Sequence, residues 1–528
     1  MTPQNPPTTP PAAAPAAAKH HPCPLDDAIE HYIGDINRTQ ISHFALVSFA
    51  WFFDAQQNFI TIFTDAFPKW SCTKPCQVET NMCRLPETSW SWDSPACTST
   101  VSQWSLQCAG PIIRGLPASS FYLGCLIGGL GLATLADSRL GRKNMLALSC
   151  LVMSVFGCLS AASENIWMYA GLRFASGLGR APIGTCAFVL GSELVGRKWR
   201  GKVGIFGFLC YALGFLSLPI VAYLLRGSSW RFMYLFTCGP CICYSVLVYF
   251  TAHESPRWLF IKGRKREFAE TLKSLARSTK DLSVDYLEWT EESHEQYRFY
   301  SAVKILLKKK WAFHRLIKST VAGFGVGLAY YGMPLGLGSL PVNLYFSVGM
   351  NALFGLLSSA ALLPVIGMMR RKALMVGLCV LSGICNVAGV VLLGPNGLLK
   401  MGLELLSFIG ANMAFDVLLV YVLELFPTCV RNSAVSVVRE AILLGGFLGP
   451  IVVAVAANGG KGLVSYGVFG VTILTCGLFV VCLPETKGRV LCDTMDEEEE
   501  TGGKRNESIV SSQSTRNLFD KRSEVELI

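Results

Sequence analysis

The chain is written in long apolar blocks set apart by short polar corners. Blocks of about 20 residues, enough to cross a bilayer core at about 1.5 Å rise per helical residue, begin near Phe44, Ser119, Asn144, Trp167, Val203, Trp230, Leu316, Ser347, Ala373, Leu398, Ala434 and Leu463. Several contain Gly or Pro, which membrane helices tolerate because neighbouring helices re-satisfy the freed backbone groups. The pattern predicts an all-α membrane protein with twelve transmembrane helices. One polar stretch, from about His253 to Lys318, divides the blocks into two sets of six. The expected layout is a cytoplasmic N-terminal tail over 1–40, a first six-helix bundle over 41–252 that includes a loop over 65–118, a central cytoplasmic loop over 253–315, a second bundle over 316–485 and a cytoplasmic C-terminal tail over 486–528. Short amphipathic helices are expected between Arg264 and Lys310. The first tail is Pro/Ala-rich and the last is acidic and then Ser-rich, so both read as disordered, with no cleavable signal peptide.

Composition agrees with lipid as the solvent. Of 528 residues 51% are hydrophobic and the mean hydropathy is +0.42, more apolar surface than a soluble domain can hide. The cations give the orientation. Arg139, Arg142 and Lys143 fall between spans 2 and 3, Arg197, Lys198, Arg200 and Lys202 between 4 and 5, and Arg370, Arg371 and Lys372 between 8 and 9, whereas the alternate loops, the long one over 65–118 apart, are nearly bare. The positive-inside bias puts both termini in the cytoplasm. These anchors account for the net charge of +10, so no nucleic-acid partner is implied. No catalytic triad, cofactor motif or metal-ligand cluster emerges, and the chain reads as a non-enzyme. Gly179-Arg180-Ala181-Pro182-Ile183-Gly184-Thr185 has the outline of a phosphate loop, but it lacks the Lys before Thr, follows no strand and falls inside a span.

Most of the twenty cysteines lie in apolar blocks, where they act as small hydrophobes. Cys72, Cys76, Cys83, Cys97 and Cys108 differ: they are spread through a polar, Trp-bearing loop on the non-cytoplasmic side. Disulfides are expected there in preference to zinc, because the loop holds no His and the spacings are irregular. Five is odd, so one thiol stays free or pairs elsewhere, and the connectivity cannot be read.

The two halves echo each other at their charged corners. Asp137-Ser138-Arg139-Leu140-Gly141-Arg142-Lys143 after span 2 has a degenerate counterpart in Met369-Arg370-Arg371-Lys372 after span 8. Gly191-Ser192-Glu193 with Arg197 matches Leu423-Glu424-Leu425-Phe426-Pro427 with Arg431. Glu254-Ser255-Pro256-Arg257 matches Pro484-Glu485-Thr486-Lys487. A duplicated unit predicts two pseudo-symmetric six-helix bundles with a midplane site between them. This ordered set of motifs resembles the major facilitator superfamily. Within it, the cysteine-bearing loop after span 1, Glu254-Ser255-Pro256-Arg257-Trp258-Leu259 and Glu424-Leu425-Phe426-Pro427-Thr428-Cys429-Val430-Arg431-Asn432 resemble the organic cation/carnitine transporters. Phe53-Asp54-Ala55-Gln56-Gln57 is similar to their plant branch. The resemblance covers roughly Gln40 to Arg489. It implies the major facilitator fold and carriage of small organic cations or zwitterions by alternating access, either as uniport or coupled to a cation (a proton or sodium ion), in a plasma or vacuolar membrane.

A charge within a span costs at least about 2.5 kcal/mol on insertion scales, so each one invites a role. Asp54 lies near the centre of span 1, followed by Gln56, Gln57 and Asn58. It can attract a substrate cation, exchange a proton or sit in a packing network. Glu404, Asn412 and Asp416 share one broad face of span 10, since their offsets fall within about 120° at about 100° per residue. Asp416 is read as a ligand or as the partner of Arg439 on span 11. A quaternary ammonium binds best to ring faces, and Phe324, Tyr330 and Tyr331 on span 7 are the candidates. Gln57 joins the expected site. Asp137, Arg142, Glu193, Arg197, Glu254, Arg257, Glu424 and Arg431 are expected to form a cytoplasmic gate. Two acidic positions that the resemblance would place in animal cation transporters fall here on Gly355 and Leu443, while Arg439 appears one turn before the latter. That favours a zwitterion such as carnitine, with Arg439 for its carboxylate. A sugar–proton symporter is the main alternative, but span 5 lacks the expected Gln and span 7 shows Tyr-Tyr where sugar carriers show paired Gln. A non-transporting receptor on the same scaffold would have no use for mobile charged corners.

Overall fold

The computed structural model describes residues 37–73, 82–132, 140–195, 200–275, 299–391, 397–458, 462–487, 492 and 494–499. Cys76, Asp137 and Arg197 lie outside them. Span 1 is built of Arg38–Ser48, Ala50–Phe59 and Thr61–Thr64. Spans 2 and 3 are Pro111–Leu132 and Arg142–Ser160. Span 4 comes in two pieces, Ile166–Arg180 and Ile183–Glu193, because Pro182 has no N–H to continue the first. Spans 5 and 6 are Arg200–Leu224 and Trp230–Thr251. The second half holds Lys310–Gly336, Leu344–Met368, Arg371–Val391, Gly397–Leu425, Thr428–Asn458 and Val464–Leu478 as spans 7 to 12. Among the described residues nine helices are long and apolar enough to cross a membrane. The remaining three spans are interrupted (1 and 4) or open with Lys310, Arg315 and Lys318 (7).

Helix starts follow side-chain capping. Asn165, Ser229 and Asn343 accept backbone N–H groups at the starts of spans 4, 6 and 8, satisfying donors that would otherwise be orphaned. Within the first half, spans 2 and 4 pack together, as do 3 and 6, 3 and 4, and 1 and 5; in the second, 7 packs on 11 and 12, and 9 on 10 and 12. Gly124 and Gly177 let spans 2 and 4 approach closely: a Cβ on either would collide with a carbonyl oxygen of the other helix, the small-residue packing typical of membrane helices. Outward, Leu224, Phe250 and Leu398 are 76–78% exposed, as side chains meeting lipid must be.

The halves meet along two seams, span 2 on span 11 and span 5 on span 8, which the internal repeat makes equivalent. Toward the cysteine-bearing loop, Arg114 donates to the Ala454 carbonyl at 3.2 Å, Ser119 to the Phe447 carbonyl at 2.8 Å, and the Tyr223 and Tyr345 rings lie 5.9 Å apart. The loop itself carries a two-stranded antiparallel ribbon, β1 (Trp70–Cys72) against β2 (Trp90–Trp92). Cys83 bridges Cys108, and Cys72 is also disulfide-bonded. Cys97 is a free thiol, which corrects its candidacy as a bridge.

Two segments outside the bundles add detail. Lys265–Leu275 and Phe299–Lys308 are the short helices of the central loop; the first buries Phe268, Leu272 and Leu275. The C-terminal tail is not irregular throughout. Residues 495–499 are helical, with Glu498 paired to Arg315 at 2.6 Å and Asp496 and Glu499 both on Lys309. Opposite charge orders what composition alone reads as disorder.

Candidate transport site

Asp54 is 1% exposed and is not a bare carboxylate. Arg180, at the break in span 4, clamps it with Nε 2.5 Å from Oδ1 and Nη2 3.2 Å from Oδ2. Such bidentate geometry is the strong form of the pair. Asn58, one turn on, donates to Asp54 Oδ1 at 3.3 Å and contacts the Tyr211 hydroxyl at the same distance. The Tyr122 hydroxyl donates to the Asn58 carbonyl. Two helical turns before Arg180 on the same helix, Arg173 is fully buried, donates to the Gln57 carbonyl at 2.9 Å and lies 4.1 Å from the Phe121 ring.

The second half supplies rings. Tyr330 stacks on Phe415 at 4.9 Å and on Phe408 at 5.8 Å, and Tyr331 lies 5.0 Å from both Tyr330 and Tyr122. Phe59 of span 1 meets both tyrosines at 6.2 Å, so the cluster straddles the two halves. Tyr211 and Asp416 are electrostatic neighbours of Tyr330. From span 11, half-buried Arg439 reaches across to span 4, where Nη1 donates to Thr185 Oγ1 at 2.8 Å. Arg180 and Tyr331 are among its electrostatic neighbours. Glu440, the next residue after Arg439, continues the seam: a side chain on Gly129 of span 2 would run into its carboxylate.

Three expectations change. Asp416 does not pair with Arg439; its Oδ2 accepts from Ser359 of span 8 at 2.8 Å. Gln57 is 2% exposed, and its hydrogen-bond partners, Arg173 and Thr237, both belong to the first half. Phe324 is half-buried with its carbonyl beside Gly445, and it lies outside the ring cluster around Tyr330. Sequence reasoning missed Arg180, Arg173, Tyr211, Phe408 and Phe415. The signal available for the two arginines was their position within an apolar span.

At the rim opposite the cysteine-bearing loop, carboxylates cap helices across each half. Glu254 accepts the backbone N–H groups of Arg142 (3.0 Å) and Lys143 (3.2 Å) at the start of span 3. Glu485 does the same for Arg371 (2.9 Å) and Lys372 (3.3 Å) at the start of span 9. A carboxylate at a helix N-terminus is favoured by the orphan donors and the dipole. Burial pushes the Glu254 carboxyl above its usual range, against the pull of those N–H groups. Gly141, at φ +83°, leaves room for Glu254, since a Cβ there would strike its carboxylate. Alongside, Arg142 lies 3.8 Å from Glu193, and Arg371 lies 3.3 Å from Glu424, which also accepts from Thr486 at 2.6 Å. The second-half counterpart of Arg142 is therefore Arg371, while Arg431 Nε donates to the Phe426 carbonyl. Arg257 sits in Pro256–Ile261, a short helix capped by Ser255.

A family model described as "Sugar (and other) transporter" matches residues 98–496. The chain is 50% identical over 488 residues to "Organic cation/carnitine transporter 3" of Arabidopsis thaliana, covering 90% of this chain and 94% of that protein. It is 48% identical over 498 residues to "Organic cation/carnitine transporter 2" of the same plant, with the same coverage, and 30% identical to human "Solute carrier family 22 member 2", covering 81% of this chain and 77% of that one. The inward-open structure of the xylose transporter XylE from E. coli superposes with a TM-score of 0.62 at 18% identity, over 85% of this chain and 98% of that one; at that identity the likeness speaks for the fold. A major facilitator scaffold, a whole-length kinship to named transporters and an aromatic, charged centre between two bundles agree: the chain belongs to the organic cation/carnitine transporter family of the major facilitator superfamily, multi-pass membrane proteins that move small molecules.

Proposed function

We infer that this protein carries organic cations and zwitterions such as carnitine, by alternating access and with a proton as coupling ion. The observation that supports the substrate class is the ring cluster of Tyr330, Tyr331, Phe408 and Phe415 beside Arg439. A quaternary ammonium has no N–H to donate, so ring faces suit it, and a guanidinium suits a carboxylate. Asp54 serves differently from a bare cation ligand. Arg180 already neutralises it, so a substrate cation would have to displace an arginine, whereas protonation of Asp54 frees Arg180 and makes the pair a coupling element. The rim pairs Arg142–Glu193 and Arg371–Glu424 lie within halves; breaking and remaking contacts near them as the bundles rock is the gating role we assign. The disulfides of the outer loop suit a plasma or vacuolar membrane, whose far side is oxidising relative to the cytosol.

Uptake of labelled carnitine, a plain quaternary amine and labelled glucose into proteoliposomes tests the reading. Asp54→Asn should abolish concentrative uptake or uncouple it from the proton gradient when uptake is counted per folded protein, because it also leaves Arg180 buried without its partner. Arg439→Ala should reduce carnitine uptake far more than that of the plain amine. Equal losses for the two would make Arg439 a structural strut to Thr185, and glucose uptake alone would replace the substrate class.

A further inference from the structure

The second half hides a carboxylate that the site above leaves unused. Glu404 of span 10 is 4% exposed and Asn351 of span 8 is fully buried. Asn351 Nδ2 donates to Glu404 Oε2 at 3.0 Å and to the Ser347 carbonyl at 3.3 Å. Beyond that, Glu404 Oε1 and Asn351 Oδ1 are both buried acceptors with no donor. Spans 8, 9 and 12 carry no Lys, Arg, His, Asp or Glu over 344–368, 373–391 and 464–478, and span 7 carries none over 319–336. Span 11, which also packs on span 10, carries Arg431, Arg439 and Glu440, and its two arginines donate to the Phe426 carbonyl and Thr185. Tyr466 of span 12 is the titratable side chain within electrostatic reach, and its hydroxyl donates to the Met333 carbonyl. Lys400, one turn away on span 10, makes no ion pair with Glu404 among the described residues.

An ionised carboxylate in such surroundings is a lone charge in an apolar medium, costing several kcal/mol. Something must neutralise it. A sodium ion asks for a full shell of oxygens, and the unpartnered ones here, Glu404 Oε1, Asn351 Oδ1 and, on the Met333 side, Asn386 Oδ1, are set among Met401 and Met333 sulfur. A proton asks for one oxygen and supplies a donor where two acceptors lack one. We propose that Glu404, oriented by Asn351, is a second proton-binding site, lodged inside the C-terminal bundle and separate from the Asp54–Arg180 pair. The polar seam between spans 8 and 10 continues from it toward the midplane, through Asn412 on Ser358 and Ser359 (both 3.0 Å) to Asp416 on Ser359. Uptake and release of that proton as spans 8 and 10 shift would couple the bundle's own motion to the gradient. The coupling part of the idea rests on the transport reading above; the proton site itself does not.

Two measurements on the full-length protein in liposomes separate these. Infrared difference spectra between acidic and alkaline buffer should show a protonated-carboxyl band that Glu404→Gln lacks and Glu404→Asp retains. Glu404→Gln should keep carnitine counterflow, which also reports folding, yet lose the stimulation by an inward proton gradient, with Glu404→Asp retaining part of it. A carboxyl band unchanged in Glu404→Gln overturns the site, as does a sodium-dependent, pH-independent difference between wild type and variant. Loss of the band with no carnitine transport in any form sustains the site and removes the transport reading; loss of the band with an unaltered gradient response overturns the coupling.

Discussion

The two bundles keep their buried carboxylates by different means. In the first, Asp54 is clamped by Arg180, and Asp65 accepts from Thr100 and Tyr169 with Arg173 as a coulombic neighbour. In the second, Glu404 and Asp416 have neutral donors, an amide and a hydroxyl. At the rim the same two bundles match almost residue for residue, with Glu254 and Glu485 capping spans 3 and 9. Pseudo-symmetry is thus kept where the repeat builds corners and lost where it builds the interior. An ion pair holds two helices in one register and resists being opened, whereas a neutral acid and amide can part at small cost. The first bundle carries a charged lock, the second a looser hinge of neutral partners.

The sharpest way to break that comparison is to remove one charge from each interior. Arg180→Ala leaves the carboxylate of Asp54 buried and unpaired, and loss of one partner of a buried pair typically costs about 3–5 kcal/mol. The expected outcome is a large fall in thermal midpoint and folded yield, recovered in good part by adding Asp54→Asn. Glu404→Gln, by contrast, exchanges one neutral hydrogen-bonding group for another of nearly the same volume and should cost about 1 kcal/mol or less. Should the two variants lose equal stability, the interiors are alike and the lock-and-hinge contrast goes.

A second pair sharpens the contrast from the other side. Glu254→Gln and Glu485→Gln each weaken a carboxylate cap at a helix N-terminus, a loss of about 1 kcal/mol apiece. Equal small drops in unfolding midpoint are expected, because the two caps have the same donors at nearly the same distances. A cap that matters in one half only would mean that the corner symmetry is one of sequence and not of energy.

How much of this was legible in the sequence follows from which constraints are local. Lipid demands about 20 apolar residues per crossing, so every span shows in the chain itself, and Gly/Asp/Arg corners mark their ends. The pairing of Asp54 is different. Its partner lies 126 residues away in Gly179–Thr185, a stretch notable on its own only as a failed phosphate loop. The rule that flagged Asp54, that a mid-span charge needs a partner, applies equally to Arg173 and Arg180; applied to both ends, it would have joined them. Which helix Asp416 faces was beyond reach, since a helical offset fixes a shared face but not the neighbour across from it. Cys97 was hidden for the same reason: five thiols in one loop say that one is odd, not which.

The smallest effect concerns the junction of spans 1 and 6. His253 follows span 6, its ring 4.4 Å from that of His43 in a tilted pair, with Lys143 nearby. Burial foremost, and then the positive neighbours His43 and Lys143, push the His253 imidazole down to about 4. The sign follows directly. Above the ordinary histidine value of about 6.5 both folded and unfolded chains hold it neutral, and its contribution is fully present. Between about 6.5 and about 4 the unfolded chain takes a proton that the folded one refuses, so stability is lost as pH falls through that window. The imidazole is partly exposed, so solvent screening keeps the loss modest. Pro484 stands at the corresponding place before Glu485, so the second half has no such group. Thermal midpoints measured from about pH 7 to about pH 4 should therefore fall less steeply in His253→Gln than in wild type, with the two converging at neutral pH. A variant that tracks wild type throughout would show that acid weakens the protein elsewhere and that this corner, like its partner, is indifferent to protons.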